Sequence, residues 1–237
     1  MTSILLPIDS HAKDDLISIQ QLENAAANGD PQAQNNLGVL YMGDHGQLKQ
    51  NYTEAFKWYQ KSAAQGYTQA QDNLALLYML GYGTPQNYGK AAVLFEKSAH
   101  MGDAFAETNL GYLYENGYGV PKDYALALKW DQAAVTQGDA QGENNLGDLY
   151  EHGYGAPQNF ALAQQWYQKA ADQHLAQAFE GLGDIYAKGE GVPQDIPLAI
   201  NYYKQAVAGG DKDAQKQLDQ YLKSTQPTVQ PNTASTP

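Results

Sequence analysis

Apolar residues along the chain recur with helical rather than strand spacing. Leu37 and Tyr41, Leu74 and Tyr78, Leu110 and Tyr114, Leu146 and Tyr150, and Leu182 and Tyr186 each stand four apart, on one face of a helix. Ala33, Ala70, Ala106 and Ala178 precede the Leu by four, with Gly142 in the fourth segment. Gly38, Gly111, Gly147 and Gly183 follow the Leu directly, and Ala75 does so in the second segment. Each segment therefore predicts a helix whose inner face reads small, large, small, aromatic. A glycine inside a helix costs roughly 1 kcal/mol relative to alanine, so its recurrence predicts close approach of a partner helix. That partner is legible in a second apolar run, Tyr52, Ala55, Trp58 and Tyr59 or Phe160, Ala163, Trp166 and Tyr167, again at helical spacing.

Between the two runs lie loops such as Glu115-Asn116-Gly117-Tyr118-Gly119-Val120-Pro121-Lys122-Asp123 and Glu151-His152-Gly153-Tyr154-Gly155-Ala156-Pro157-Gln158-Asn159. The glycines supply positive φ and the proline stops a helix from continuing. The closing Asn51, Asn87, Asp123, Asn159 and Asp195 are placed to N-cap the second helix. Aligned on itself, the chain brings Gly29, Gly66, Gly102, Gly138, His174 and Gly210 into one column at spacings of 37, 36, 36, 36 and 36, which signals a repeat architecture.

The recurring Gly, Ala, Leu-Gly, Tyr, Gly-x-Gly-Val, Ala, Trp-Tyr and Ala-Ala pattern of residues 26 to 208 resembles the Sel1-like repeat family, relatives of tetratricopeptide repeats. The resemblance implies an all-α fold, a right-handed α/α superhelical solenoid of about five helix-pair repeats with capping helices at both ends. It also implies a family of adaptors that assemble protein complexes. The organisation expected is a flexible leader over 1–13, an N-terminal capping helix over 14–28, repeats at about 29–65, 66–101, 102–137, 138–173 and 174–209, a C-terminal capping helix over 210–223 and a disordered, proline-containing tail over 224–237. The first repeat departs from the pattern in its loop, Met42 to Gln50, which is one residue longer and lacks the proline.

Charge narrows the choice of partner. The formal net charge is −12, from 26 acidic and 14 basic residues, and every basic residue is Lys. An acidic surface without Arg argues against nucleic acid and against anionic membrane surfaces, and no apolar run is long enough to insert in a membrane. Met1 to Asp9 lacks a basic region and a small-residue cleavage site, so a cytoplasmic protein is expected. The absence of Cys removes disulfides, thiolate metal sites and Cys nucleophiles.

The search for chemistry returns little. His11, His45, His100, His152 and His174 are scattered, without the convergence that a metal site or acid–base catalysis needs. The Gly-Tyr-Gly triplets at 81–83, 117–119 and 153–155 lack the Lys-Ser/Thr of a phosphate loop and recur once per repeat, as turns do. No Gly-x-Ser-x-Gly elbow is present. The reading is a non-catalytic protein without metal or cofactor.

What remains is a surface. If the Leu-Gly pair faces the partner helix, helical geometry directs a set of first-helix side chains into a concave groove. The candidate partner-binding residues are Asn36, Met42, Asn73, Leu76, Met79, Phe105, Asn109, Tyr112, Glu115, Asn145, Asp148, Glu151, Glu180 and Asp184. Asn36, Asn73, Asn109 and Asn145 form a ladder that could bind a peptide backbone, or could bond a neighbouring helix of the chain itself. Along the groove the character runs from apolar to aromatic to acidic, which suits a protein or peptide ligand with an apolar patch and a Lys/Arg-rich patch, or is simply a solvated acidic face. An adaptor is the leading reading, an immunity protein that neutralises a basic effector enzyme the second, and a hydrolase the third.

Overall fold

The computed structural model describes residues 19–44 and 48–224; the leader, residues 14–18 of the first capping helix, His45 to Gln47 and the tail from residue 225 lie outside the described residues. Those described form α1 (Ile19–Ala27), α2 (Pro31–Met42), α3 (Tyr52–Ala64), α4 (Thr68–Leu80), α5 (Tyr88–Ala99), α6 (Ala104–Asn116), α7 (Tyr124–Ala134, extended by a 3-10 turn to Gln137), α8 (Ala140–His152), α9 (Phe160–Asp172), α10 (Ala176–Lys188), α11 (Ile196–Ala208) and α12 (Ala214–Ser224). They fall into two compact units. Unit 1 runs to Asn145 and includes Tyr154–Ala156; unit 2 comprises Leu146–Gly153 and the chain from Pro157 onward.

Local chemistry explains where the second helices begin. Asn51, Asn87, Asp123, Asn159 and Asp195 each accept a hydrogen bond from the backbone N–H three residues on, at 2.9 to 3.1 Å, which satisfies one of the orphan donors of a helix start. Their own N–H groups donate back to the carbonyls of Tyr41, Tyr78, Tyr114, Tyr150 and Tyr186. First and second helix are thereby tied together at each loop.

The glycine column has its reason in packing. In unit 1 a methyl group on Gly38 would lie 2.6 Å from the ring of Tyr59, and in unit 2 one on Gly147 would lie 2.5 Å from Tyr167 and one on Gly183 2.6 Å from Tyr203. The partner residues Tyr59, Phe95, Asp131, Tyr167 and Tyr203 themselves form a column and are all buried. Burying such a ring contributes about 2–3 kcal/mol, which outweighs the propensity cost of the glycine. In the second repeat the two columns hold Ala75 and Phe95, both buried.

The Gly-Tyr-Gly triplets are turns that lock successive repeats of unit 1. The second glycine of each, Gly83, Gly119 or Gly155, has positive φ and presses on the backbone of Tyr52, Tyr88 or Tyr124, where a side chain would strike main chain. The tyrosine between the glycines stacks on that same residue, Tyr82 on Tyr52 at 4.6 Å, Tyr118 on Tyr88 at 4.8 Å and Tyr154 on Tyr124 at 4.3 Å.

Candidate protein-binding site

The expected partner-binding residues occupy different environments in the two units. In unit 1, Asn73, Leu76 and Met79 on α4 are buried, at 9%, 5% and 7% exposure. Leu76 and Met79 belong to the core that Met42 and Phe105 flank. The apolar stretch of the expected groove is thus largely core. Phe105 is half-buried with its edge on Phe95 at 6.2 Å, and Asn36, Glu115 and Asn145 are half-buried as well. Tyr112 is exposed at 42%, edge-on to Tyr118 at 5.9 Å.

Of the asparagine ladder, three amides have partners inside unit 1. Asn73 Nδ2 donates to Asn35 Oδ1 at 3.0 Å, Asn109 Nδ2 to the Phe105 carbonyl at 2.8 Å, and Asn145 Nδ2 to Asp131 Oδ1 at 3.1 Å. The Asn73 and Asn145 bonds reach a neighbouring helix, as internal struts do, whereas that of Asn109 returns to its own helix one turn back. Asp131 stands where the other repeats place an aromatic ring, and Asn145 supplies a donor to the buried carboxylate.

Unit 2 gathers the acidic candidates other than Glu115. Asp148 and Glu151 come from the end of α8, Asp184 from α10 and Glu190 from the loop that follows, while α9 and α11 each contribute a tyrosine hydroxyl. Tyr167 Oη donates to Asp148 Oδ1 at 2.5 Å and to Glu151 Oε2 at 2.7 Å, and Tyr203 Oη donates to Asp184 Oδ1 at 2.7 Å. Lys188 Nζ lies 2.9 Å from Asp184 Oδ2, 3.6 Å from Glu151 Oε1 and 3.9 Å from Glu190 Oε2. One ammonium thus faces the carboxylates of Glu151, Asp184 and Glu190, and Asp148 adds a further negative charge beside them.

Electrostatics follow the geometry. Burial pushes the Tyr167 phenol up, and the charges of Asp148 and Glu151 push it further, so it stays a neutral donor. Burial and the bond to Asp184 do the same to Tyr203. For Lys188, burial lowers the ammonium, but the hydrogen bond to Asp184 and the charges of Asp184, Glu151 and Glu190 outweigh it and hold the group above its ordinary value. Glu151 and Asp184 are 9% and 30% exposed in their side chains and Lys188 46%, so this cluster opens to solvent at the Lys188 end. Glu180, also on α10, turns instead toward α12, where Gln217 Nε2 donates to its Oε1 at 3.0 Å.

Sequence reasoning placed Asp148 and Asp184 on a common face but missed the tyrosine donors, because Tyr167 was legible only as an apolar position and Tyr203 was not singled out. A signal was available: both Asp residues stand two after the Leu, in repeats whose second helix carries Tyr167 or Tyr203 in the ring column. Also missed were Gln50, Gln86, Gln158 and Gln194. Each donates its side-chain amide to a carbonyl in the last turn of the preceding first helix, at 2.7 to 2.9 Å. Among the described residues no group of three or more His, Asp or Glu is arranged to hold a metal ion, and no helix is long and apolar enough to cross a membrane.

Helix pairs that recur every 36 residues, with a polar, carboxylate-rich face and glycines closing the joints, define an α/α repeat protein. The Sel1 repeat family model matches residues 31–67, 68–103, 104–139, 140–175 and 178–211, and the chain belongs to the Sel1 repeat family, an α/α solenoid class associated with protein–protein interaction. Among solved structures it is similar to c5321, a protective antigen of uropathogenic Escherichia coli strains with an SLR fold, at 34% identity and a TM-score of 0.76 over 88% of this chain. The chain spans 44% of the length of that protein. It is also similar to a Sel1 repeat protein from Oxalobacter formigenes, at 31% identity and a TM-score of 0.76, over 93% of both chains. The immunity protein Pa5087 from Pseudomonas aeruginosa shares the fold at 23% identity and a TM-score of 0.53, over 94% of this chain and 91% of that one. No protein of curated function matches the chain.

Proposed function

We propose that the chain is a non-catalytic protein-binding module, acting without cofactor, and that the face of unit 2 formed by Asp148, Asp184 and Glu190, with the buried Glu151 adding its charge, takes up Lys or Arg side chains of a protein or peptide partner. The observation that carries this reading is Lys188. Its ammonium sits against Asp184, Glu151 and Glu190, an internal example of the cation that the cluster accepts, and the carboxylates outnumber it. Clustered negative charge speeds encounter with a basic surface and selects against acidic ones.

The test is the variant Asp148→Asn, Glu151→Gln, Asp184→Asn. Amide oxygens still accept from Tyr167 and Tyr203, so the fold is retained while three charges are lost. Affinity capture from the source cell's lysate with wild type and variant, followed by mass spectrometry and a titration of the captured partner against salt, decides the matter. The expected result is a partner lost with the variant, whose binding to the wild type weakens as salt rises. Equal binding of that partner by the variant at low salt overturns the proposal. The similarity to Pa5087 carries the fold and not the role; whether the captured partner is a basic effector enzyme or a component of a larger assembly separates an inhibitor from an adaptor.

A further inference from the structure

The position two before the Leu of each first helix holds Asn35, Asp72, Thr108, Asn144 and Glu180. In unit 1, Thr108 shows what this position does. Its hydroxyl donates to Asp139 Oδ1 at 2.8 Å, and Asp139 accepts from the Gly142 N–H at 2.7 Å, at the start of the next first helix. A hydroxyl hydrogen bridges the joint between two repeats and lands on a capping carboxylate.

In unit 2 the corresponding pair is Glu180 and Asp211. Asp211 Oδ1 accepts from the N–H groups of Asp213 and Ala214, at 2.9 and 3.3 Å, and so caps the start of α12. Glu180 faces it from α10. Two carboxylates in contact, one of them already accepting from helix N–H donors, share the position only if a hydrogen lies between them. We propose that Glu180 is a protonated carboxyl that donates to Asp211 as Thr108 donates to Asp139, and that loss of this proton loosens the terminal helix α12 from α10.

The surroundings favour the neutral form. Burial, the charges of Asp211 and Asp213 from the turn into α12, and that of Asp184 from its own helix push Glu180 up to about 7. Gln217 of α12 donates to Glu180 Oε1 and supplies no charge, and Tyr203 of α11, the other titratable group facing Glu180, is a phenol that burial holds neutral. Unit 1 repeats the juxtaposition at Asp72, which is 1% exposed and faces Asp103, the carboxylate that caps α6. Because the folded joint holds its proton more tightly than the unfolded chain does, its stability falls as pH climbs from the ordinary glutamate range to about 7 and is level above that.

The experiment is hydrogen–deuterium exchange of α12 at pH 5.5 and pH 8.0, corrected for intrinsic exchange, on the full chain. In the wild type the opening equilibrium of α12 rises about thirtyfold between the two pH values. In Glu180→Gln, whose amide donates to Asp211 at any pH, it is the same at both. An α12 opening that is independent of pH in the wild type, or an equal rise in Glu180→Gln, overturns the proposal. A carbon-13 titration of the wild-type Glu180 carboxyl tests it without a variant: a midpoint within about one unit of 7 supports the bridge, and one near the ordinary 4.3 overturns it.

Discussion

His174 occupies the place that five other repeat boundaries give to glycine, and it does so with φ of 64°, in the left-handed region. A side chain there is strained by about 1–2 kcal/mol, partly offset because glycine is freer in the unfolded chain. His174→Gly therefore stabilises the protein by about 0.5–1 kcal/mol, measured as a rise in urea midpoint at unchanged slope. Gly183 behaves in the opposite way. Its φ is ordinary, but a methyl group would meet the Tyr203 ring at 2.6 Å, so Gly183→Ala costs about 1–3 kcal/mol by overpacking despite the better helix propensity of alanine. A neutral or stabilising Gly183→Ala, read in the same denaturation experiment, would show that the ring yields. The two substitutions separate glycine needed for conformation from glycine needed for space. Sequence alone showed both columns and indicated a packing reason for the second, but the contacting ring is 20 residues away in the chain and emerges only when the helices are paired.

At the scale of the element, helix ends and joints rest on polar residues whose partners lie outside their own helix. Tyr167 is 1% exposed and donates to both Asp148 and Glu151. Tyr167→Phe keeps the ring packed but leaves the buried Glu151 carboxylate short of a donor; it costs about 1–3 kcal/mol in urea unfolding. Asp72 makes the same point through pH. Burial, followed by the negative charge of Asp103 and against the lowering effect of the Ser98 hydroxyl, pushes its carboxyl up to about 7 from 3.8. Its contribution to stability is present below pH 4 and is lost as pH rises to 7. Asp72→Asn removes that fall and is more stable than wild type by about 1–2 kcal/mol at pH 8; parallel stability profiles for the two proteins from pH 4 to 8 would contradict it. The N-caps were legible from loop sequence because a cap bonds within three residues of itself. The glutamine amides and tyrosine hydroxyls were not, because their acceptors belong to the neighbouring helix.

For the whole molecule, the excess of 26 acidic over 14 basic side chains repels itself. Sodium chloride screens that repulsion over a Debye length of about 10 Å at 0.1 M, so the thermal midpoint rises between low salt and about 0.5 M; a flat or falling midpoint would mean that ion pairs such as those of Lys188 outweigh the repulsion. Composition and periodicity determined much at this scale: an all-helical repeat of 36 residues, the place of each first and second helix, and an acidic surface without arginine. Helical spacing and capping are properties of neighbouring residues, so the chain carries them openly. Tertiary structure decided which face positions remain available to a partner. Leu76 and Met79 hold the same sequence positions as later acidic residues yet end in the core of unit 1, and the asparagines at 73, 109 and 145 each have an amide partner within the unit. Packing also tied Asp148, Glu151 and Asp184, which the sequence places on one acidic face, to two buried tyrosine hydroxyls, and set Lys188 against Glu151 and Asp184. Burial and long-range pairing depend on the neighbours that folding brings from other repeats, and a one-dimensional pattern does not contain them.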